Sequence, residues 1–365
     1  MPRPKKADTV KTAENAGNPA VEKATISYDI LIGEGLLDRA GELCATHIGV
    51  CRVCVVTDDT VHALYFERLS RSLHDADYEV YPFVVPHGEA SKSTDSLVAL
   101  LEFCAEHRLT RADALIALGG GVVGDLCGFA AAVYLRGVRF VQIPTTLLAM
   151  VDSSVGGKTA VDLRAGKNLA GAFHQPSLVI CDTKTTETLS PEIFADGCAE
   201  VIKYGVINDR PFFDFLKGGI AEQLEEVIAD CVLHKRELVE VDEFDCGARQ
   251  LLNLGHTVGH AIELCSALAV SHGSAVSMGM VIVMRATIAE GLCPASHLDE
   301  LISMLRANGL PVNCPYTAQA LAAVATADKK RSGDTISLVI PYGIGNSRLY
   351  KLPVSSLADF IAKGL

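Results

Sequence analysis

Short apolar segments alternate with longer segments of helical apolar spacing between residues 24 and 182. Strands are predicted at residues 26–32, 78–85, 112–118 and 139–143, and a further strand ends at about residue 58. Helices are predicted at residues 36–47 and 93–107, and two further helices end at about residues 73 and 134. Because strands separated by helices of this length form β-α-β units, the pattern predicts a parallel sheet.

Long helical patterns replace the strand signals after residue 182. Helices are predicted at 192–206, 220–241, 248–265, 274–290 and 298–308, followed by a short strand at 336–340 and a last helix. We therefore predict an α/β domain at 24–182 and a helical domain at 183–365. Residues 1–23 are polar and lack apolar periodicity, which predicts a disordered extension.

A glycine-rich run follows the predicted strand at 112–118 and opens a helix. Gly119, Gly121 and Gly124 satisfy the G-x-G-x-x-G pattern, in which bare backbone approaches a pyrophosphate at a helix N-terminus. The acidic residue that usually follows about 20 positions later is not evident. Candidate partners for a ribose therefore lie upstream, at Asp58 and Glu89.

Two lysines lie in glycine-containing runs farther along the chain. Residues 156–159 read Gly-Gly-Lys-Thr, but the first glycine of a P-loop would fall at Asp152, so we reject that motif. Lys158 and, in Gly166-Lys167-Asn168, Lys167 remain candidate anion ligands, with ordinary surface charge as the alternative.

The segment 249–265 concentrates chemically active side chains on one predicted helical face. At about 100° per residue, one narrow stripe contains Arg249, Asn253, His256, His260 and Glu263. Arginine, asparagine and imidazole suit anions and metals better than they suit an ordinary solvated face. The helix-weakening glycines at 255 and 259 suggest that another backbone or a ligand approaches closely.

A metal site requires ligands beyond one imidazole. The candidates are His256, His272 and Glu200, the last on a helix predicted to begin with Ser190 as N-cap. Two histidines and one carboxylate with an open position are typical of catalytic zinc. An ordinary ion pair between Glu200 and Lys203, three residues apart, is the alternative.

Composition excludes several classes of function. The formal charge of −12 argues against general nucleic-acid binding, which requires a basic surface. Twelve scattered cysteines and no signal segment predict reduced thiols in a cytoplasmic protein. No run approaches the roughly 20 apolar residues of a membrane span, so no membrane partner is expected.

These motifs together resemble the 3-dehydroquinate synthase family. The likeness rests on residues 118–128, 134–137, 144–159, 166–168, 199–205, 249–263 and 328–330. It implies an α/β N-terminal Rossmann-like domain, an all-α C-terminal domain, an active site between them and a homodimer. It also implies NAD, a zinc or cobalt ion, and conversion of 3-deoxy-D-arabino-heptulosonate 7-phosphate to 3-dehydroquinate and phosphate.

The resemblance also implies residue roles. The metal ligands would be Glu200, His256 and His272. NAD would be contacted by Asp58, Glu89, Lys92, Gly120, Gly121, Asp125, Thr145, Thr146, Lys158 and Lys167. The substrate would be held by Asp152, Lys158, Asn168, Lys203, Lys235, Arg249, Asn253, His260, Lys330 and Arg136, with Arg136 reaching across the dimer. Ser274 departs from the glutamate usual in the family.

Three alternatives remain. Another sugar phosphate cyclase would make an inosose or a valiolone, but such relatives tend to depart at positions where this chain keeps Ser154, Lys158, Asn253 and His260. A metal-dependent polyol dehydrogenase would release NADH, and the cluster of candidate phosphate-binding cations argues against it. A non-catalytic scaffold that binds NAD and metal would lack turnover.

Overall fold

A six-stranded parallel sheet forms the first part of the structure, a computed structural model that describes residues 28–327 and 334–365. Its strands, in the spatial order β1-β8-β5-β4-β2-β3, are β1 (Asp29–Gly33), β2 (Arg52–Asp58), β3 (Glu79–Val85), β4 (Ala114–Gly119), β5 (Arg139–Pro144) and β8 (Leu178–Asp182). The apolar runs of the four inner strands are buried because helices cover both faces, whereas the edge strands β1 and β3 are more exposed. The predicted extension and the predicted ligand Lys330 lie outside the described residues.

Helices pack on the two faces of this sheet as two separate apolar clusters. One face carries α1 (Ala40–Ile48), α2 (Asp59–Val61), a π-helical turn (His62–Phe66) and α3 (Glu67–Asp75), and the other carries α4 (Thr94–Glu106) and α5 (Gly121–Val133). The chain runs from β2 to β3 on one side and returns to β4 on the other. The strand order therefore reverses at the β2–β4 pair, where open α/β sheets bind ligands.

An antiparallel hairpin, which we did not predict, stands apart from the main sheet. It consists of β6 (Lys158–Leu163) and β7 (Gly166–Phe173). Much of β7 is exposed. Its sequence begins Gly-Lys-Asn and includes a second glycine, residues that are depleted in strands, so it gives little strand signal.

Helices dominate residues 183–365. They are α6 (Pro191–Asn208), α7 (Arg210–Phe215), α8 (Leu224–Val241), α9 (His256–Cys265), α10 (His272–Ala289), α11 (Ser296–Ala307), α12 (Ala318–Ala327) and α13 (Leu357–Gly364). The predicted strand at 336–340 belongs to a hairpin of β9 (Thr335–Gly343) and β10 (Asn346–Pro353).

Helix α10 is the central helix of this region and packs against α6, α9 and α13. Within the described ranges it alone is long and apolar enough to span a membrane, with 18 residues and a mean hydropathy of 1.2. Because 72% of that stretch is buried inside the fold, α10 is a core helix.

The prediction of one continuous helix over 248–265 is wrong. Residues Ala248–Asn253 form 3-10 turns, and α9 begins only after Gly255, which has φ +78°. A Cβ at Gly255 would lie 2.8 Å from the carbonyl oxygen of Val276, and one at Gly259 would lie 3.2 Å from that of Ala275. The inferred close backbone approach is thus confirmed, and α10 is the approaching element. Arg249 and Asn253 belong to a separate segment from His256.

Candidate active site

Three side chains from three helices converge at the centre of the helical region. Glu200 lies within α6, His256 begins α9 and His272 begins α10. Their donor atoms all lie within 4.8 Å of one another. Each imidazole Nε2 is 3.5 Å from Glu200 Oε1. The structure therefore brings together the three residues that sequence spacing selected.

The geometry of this triad fits a divalent metal ion. Among the described residues, the buried Glu200 Oε1 has no hydrogen-bond partner, although two ring nitrogens face it. Orphaned buried oxygens are costly unless a cation or water satisfies them. His256 Nδ1 lies 3.1 Å from the carbonyl oxygen of Leu254, an arrangement that leaves Nε2 free to ligate. Two imidazoles and one carboxylate form a catalytic zinc donor set.

The surroundings of the three candidate ligands shift their pKa values in different directions. Burial and the positive charge of Lys203 lower the pKa of His256 to about 3, so this imidazole is neutral at pH 7. Burial alone would raise the pKa of Glu200, but Lys203, His256 and His272 together outweigh it and hold that pKa well below its usual range. Burial also opposes the charged form of His272, yet the carboxylates of Glu200 and Glu263 raise its pKa to about 10.

The ion pair between Glu200 and Lys203, which was the alternative to a metal site, is present in the structure. Lys203 Nζ contacts Glu200 Oε2, and both side chains are at most 1% exposed. Because the lysine uses Oε2, Glu200 Oε1 remains available for a metal. The ion pair and the proposed ligand role are therefore compatible.

Glu263 is a site residue that we predicted to lie on the active face but assigned no role. It is 5% exposed. Its Oε2 lies 3.4 Å from His272 Nδ1, and its Oε1 lies 3.4 Å from Lys167 Nζ. Burial alone would raise the pKa of Glu263, but His272 and Lys167 lower it to about 2. An ionised carboxylate thus holds the ring nitrogen of His272 that faces away from the triad.

A cleft of about 600 Å³ opens beside the triad. Predicted site residues from both regions line it, namely Asp125, Asp152, Lys158, Asn168, Lys203, Lys235, Arg249, Asn253, His256 and His272. His260 lies beside it, with its ring 5.9 Å from that of His272. Residues far apart in the sequence therefore share one cavity of the size of a small-molecule site.

Cations in this cleft are held by acidic or carbonyl groups. Lys235 Nζ lies 2.5 Å from Asp152 Oδ1, and Arg249 donates to the carbonyl oxygen of Gly156 at 3.0 Å. Burial would raise the pKa of Asp152, but Lys235 and Lys203 lower it to about 2. Burial also lowers the pKa of Lys235, and Asp152 opposes that shift. The cleft therefore contains a fixed array of charges, which suits an anionic ligand.

The predicted cofactor residues lie at the carboxyl end of the sheet. Asp58 ends β2 and accepts from the backbone N–H of Val61 at 2.8 Å. Because Thr57 pairs with Leu118, the ends of β2 and β4 are adjacent. Gly120 is the N-cap of α5, and a Cβ there would lie 3.2 Å from Thr146 Cγ2. This close-packed strand-to-helix turn suits the approach of a dinucleotide.

Several other predicted cofactor residues surround this turn. Lys92 Nζ lies 2.6 Å from Asp125 Oδ2, and Lys167 Nζ lies 3.6 Å from Glu89 Oε1. Thr145, directly after β5, is 2% exposed, and its hydroxyl has no hydrogen-bond partner in the described part of the chain. Arg136, by contrast, is exposed and is absent from the lining of the cleft, so its predicted role across a dimer stays a prediction.

Sequence comparison identifies both halves of the chain. Residues 82–196 match the family model for the 3-dehydroquinate synthase N-terminal part, and residues 197–331 match the model for its C-terminal part. The 3-dehydroquinate synthase of Enterococcus faecalis is 42% identical over 344 residues, covering 92% of this chain and 96% of that protein. The Caulobacter vibrioides enzyme of the same name is 45% identical over 341 residues, which cover 89% of this chain and 92% of that protein.

A solved structure agrees with the fold. The 2-epi-5-epi-valiolone synthase of Streptomyces hygroscopicus subsp. jinggangensis, with NAD+ and Zn2+ bound, superposes with a TM-score of 0.84 at 27% identity. The match covers 95% of this chain and 98% of that one. The similarity therefore spans the sheet, the helices and the cleft between them.

Proposed function

The chain belongs to the 3-dehydroquinate synthase family, and from this premise we propose how its cleft performs that reaction. The substrate is 3-deoxy-D-arabino-heptulosonate 7-phosphate, and the products are 3-dehydroquinate and inorganic phosphate. The observation that carries the proposal is the buried Glu200, His256 and His272 triad at the wall of a cleft that contains Lys158, Lys235 and Arg249. A metal site beside several cations suits a phosphorylated polyol.

The triad is proposed to hold a zinc or cobalt ion. When bound, the ion supplies Lewis acidity that lowers the pKa of a substrate hydroxyl and polarises the corresponding ketone. The chain contributes the Oε1 of Glu200 and the Nε2 atoms of His256 and His272. Lys203 holds the other oxygen of Glu200, and Glu263 orients His272, so the ligand set is fixed before the ion arrives.

NAD is proposed to bind at the reversal point of the sheet. When bound, it supplies a hydride acceptor that returns the same hydride, so the reaction involves no net oxidation. Gly120 and Gly121 let the backbone at the start of α5 pack closely against Thr146 and Ser153, and the bare N–H groups of this turn would meet the pyrophosphate. The carboxylates of Asp58 and Glu89 would accept hydrogen bonds from cofactor hydroxyls. Thr145 and Thr146, which directly follow β5, would also contact NAD. Lys92 and Asp125 support this surface as an ion pair.

The phosphate of the substrate is proposed to lie near Lys158, Arg249 and His260. Cations stabilise the dianion in the ground state and also stabilise the developing charge as phosphate leaves. The substrate's own phosphate would then accept the proton removed from the adjacent carbon. Side chains of the cleft need only position it.

The remaining polar side chains are proposed to orient the sugar ring. Asp152 and Asn253 offer acceptors for hydroxyl groups, while Lys203, Lys235 and Asn168 offer donors. Holding the opened sugar in one conformation favours its closure to the carbocycle, because an ordered geometry lowers the entropic barrier.

We further propose that the regions on either side of residue 182 act as two domains, and that the enzyme is a cytoplasmic homodimer with Arg136 contributing to the partner's site. The first point is supported by the end of β8 at Asp182, after which α6 carries the chain into the helical part. The exposure of Arg136 is consistent with a role at a subunit boundary. Sedimentation analysis and an Arg136→Ala variant would test this assembly.

The decisive experiment measures phosphate release from 3-deoxy-D-arabino-heptulosonate 7-phosphate by the purified chain, with and without a chelator. We expect release that requires metal, formation of dehydroquinate and no accumulation of NADH. Accumulating NADH would indicate a polyol dehydrogenase instead. Release only from other sugar phosphates would identify an inosose or valiolone type of cyclase, and bound NAD and metal without turnover would identify a scaffold.

A further inference from the structure

An acidic side chain pairs with the lysine proposed to bind the substrate phosphate. Asp245 Oδ2 lies 2.5 Å from Lys158 Nζ, although the two residues are 87 positions apart. Lys158 begins β6, and Asp245 lies in the loop that follows α8. The side chain of Lys158 is 50% exposed, so solvent and ligands reach its ammonium group.

Another carboxylate anchors the loop that contains Asp245. Asp242 accepts from the backbone N–H groups of Cys246, Gly247 and Arg249. Arg249 also donates to the carbonyl oxygen of Glu243 at 2.6 Å. The loop therefore keeps its anchors when the side chain at position 245 changes.

The conformation of Asp245 carries a local cost. Its φ is +57°, a left-handed value that is uncommon for residues other than glycine. Its Oδ1 is buried without a hydrogen-bond partner in the described ranges. The carboxylate of Asp245 thus has one oxygen on Lys158 and one without a hydrogen-bond partner among the described residues, and its negative charge also acts on Arg249.

We propose that Asp245 is a stand-in for the substrate phosphate, which neutralises Lys158 when the site holds no phosphate and reclaims it as inorganic phosphate leaves. The inference rests on the proposed function for the identity of the anion that Lys158 receives. Asp245 acts through Lys158 and is a positioning residue. An ion pair with a half-exposed lysine is weak, so a dianion held by several cations displaces it.

The stand-in would favour release of the free product. Once Asp245 is displaced, its negative charge remains near the phosphate and repels it. The intact substrate is retained by its contacts with the rest of the cleft, whereas free phosphate has only the cations. The repulsion therefore weighs more heavily on the product than on the substrate.

The test is calorimetric titration of inorganic phosphate into the metal- and NAD-loaded enzyme and its Asp245→Asn variant. We expect the Kd for phosphate to fall about three- to fivefold in the variant, because Asp245 no longer competes with phosphate for Lys158 and a nearby like charge is removed. The matched control is Glu243→Gln, which removes one charge from the same loop where the carboxylate faces Gln175. Its phosphate Kd should stay within about twofold of the parent.

Lys158→Met and the double variant with Asp245→Asn complete a mutant cycle. Lys158→Met alone should weaken phosphate binding. Adding Asp245→Asn to it should have less effect than in the parent, because the competition for Lys158 is then gone and only the direct repulsion by Asp245 is removed. Unchanged or weaker phosphate binding by Asp245→Asn would overturn the inference. So would undiminished binding by Lys158→Met. Because these are binding measurements, they are separate from the turnover assay that decides the proposed function.

Discussion

The sheet region, residues 28–182, and the helical region, residues 183–365, hold their candidate site residues differently. At the sheet, Asp58, Glu89, Gly120 and Thr146 lie in turns at strand ends. In the helical region, Glu200, Lys203 and Arg249 are at most 1% exposed. The sheet therefore presents its site on top of an apolar core, whereas the helical region includes its site in the core.

This difference predicts different consequences of mutation. Replacing one partner of a buried ion pair leaves a buried charge without compensation and costs about 3–5 kcal/mol. Changing a partly exposed loop residue usually alters stability by no more than about 0.5 kcal/mol. Function and stability should thus be coupled in the helical region and separable at the sheet. The pair of Lys92 and Asp125, in which Lys92 is 6% exposed, is an intermediate case within the sheet region.

The largest effect is expected for Glu200→Gln. It removes a proposed metal ligand and leaves Lys203 buried without its carboxylate, so the metal-free protein should lose about 3–5 kcal/mol in its free energy of unfolding. Denaturant unfolding in chelator measures the stability, and metal analysis after dialysis measures zinc content. Glu192→Gln, on the exposed first turn of the same helix, is the control. If Glu200→Gln kept its full zinc content and the stability of the parent, the proposed coupling of function and stability in the helical region would be contradicted.

Lys158→Ala tests a residue that the sheet region contributes to the substrate side of the cleft. A hydrogen bond to a charged group contributes about 1.5–3 kcal/mol, which corresponds to a decrease in kcat/KM of about 10- to 150-fold. The Kd for NAD, measured by calorimetry, should change far less. Equal losses in turnover and in NAD binding would assign Lys158 to the cofactor.

Glu263→Gln tests whether the carboxylate that contacts His272 strengthens metal binding by that ligand. The variant keeps the shape of the side chain but removes the charge beside His272. Metal affinity should fall about 10- to 100-fold, as it does when outer partners of ligating histidines are removed. Competition with a chromophoric chelator measures it. Glu290→Gln, at the other end of α10, is the control and should bind zinc like the parent. Equal affinities in both variants would contradict the positioning role.

How far the sequence predicts the site also differs between the regions. The apolar runs and the glycine turn after β4 indicate the proposed cofactor side directly, because strand period and turn chemistry are local properties. Spacing also selected the metal triad. The break before α9 escaped prediction because Gly255 is placed there by the packing of α10, which is a tertiary contact. An uninterrupted apolar period continues through that break.

The role of Glu263 and the position of Asp245 beside Lys158 were not predicted, for a related reason. Glu263 lies on the predicted polar face, yet its partners Lys167 and His272 come from other segments. Asp245 lies in a polar loop with no periodic signal, and its contact with Lys158 depends on how the hairpin β6–β7 meets the loop after α8. Ion pairs between distant segments leave no mark in local sequence patterns, so only the folded arrangement reveals them.

Glu89→Gln is the smallest expected change and the sharpest test of the contrast between regions. Glu89 follows β3, and its side chain is 39% exposed, 3.6 Å from Lys167. Loss of one hydrogen bond of ordinary strength should weaken NAD binding by about 1 kcal/mol, or about fivefold. The free energy of unfolding should stay within about 0.5 kcal/mol of the parent, as it should for the control Glu79→Gln at the exposed start of β3. If Glu89→Gln instead destabilised the protein as much as Glu200→Gln, the sheet site would also be part of the structural core, and the separation of function from stability in that region would fail.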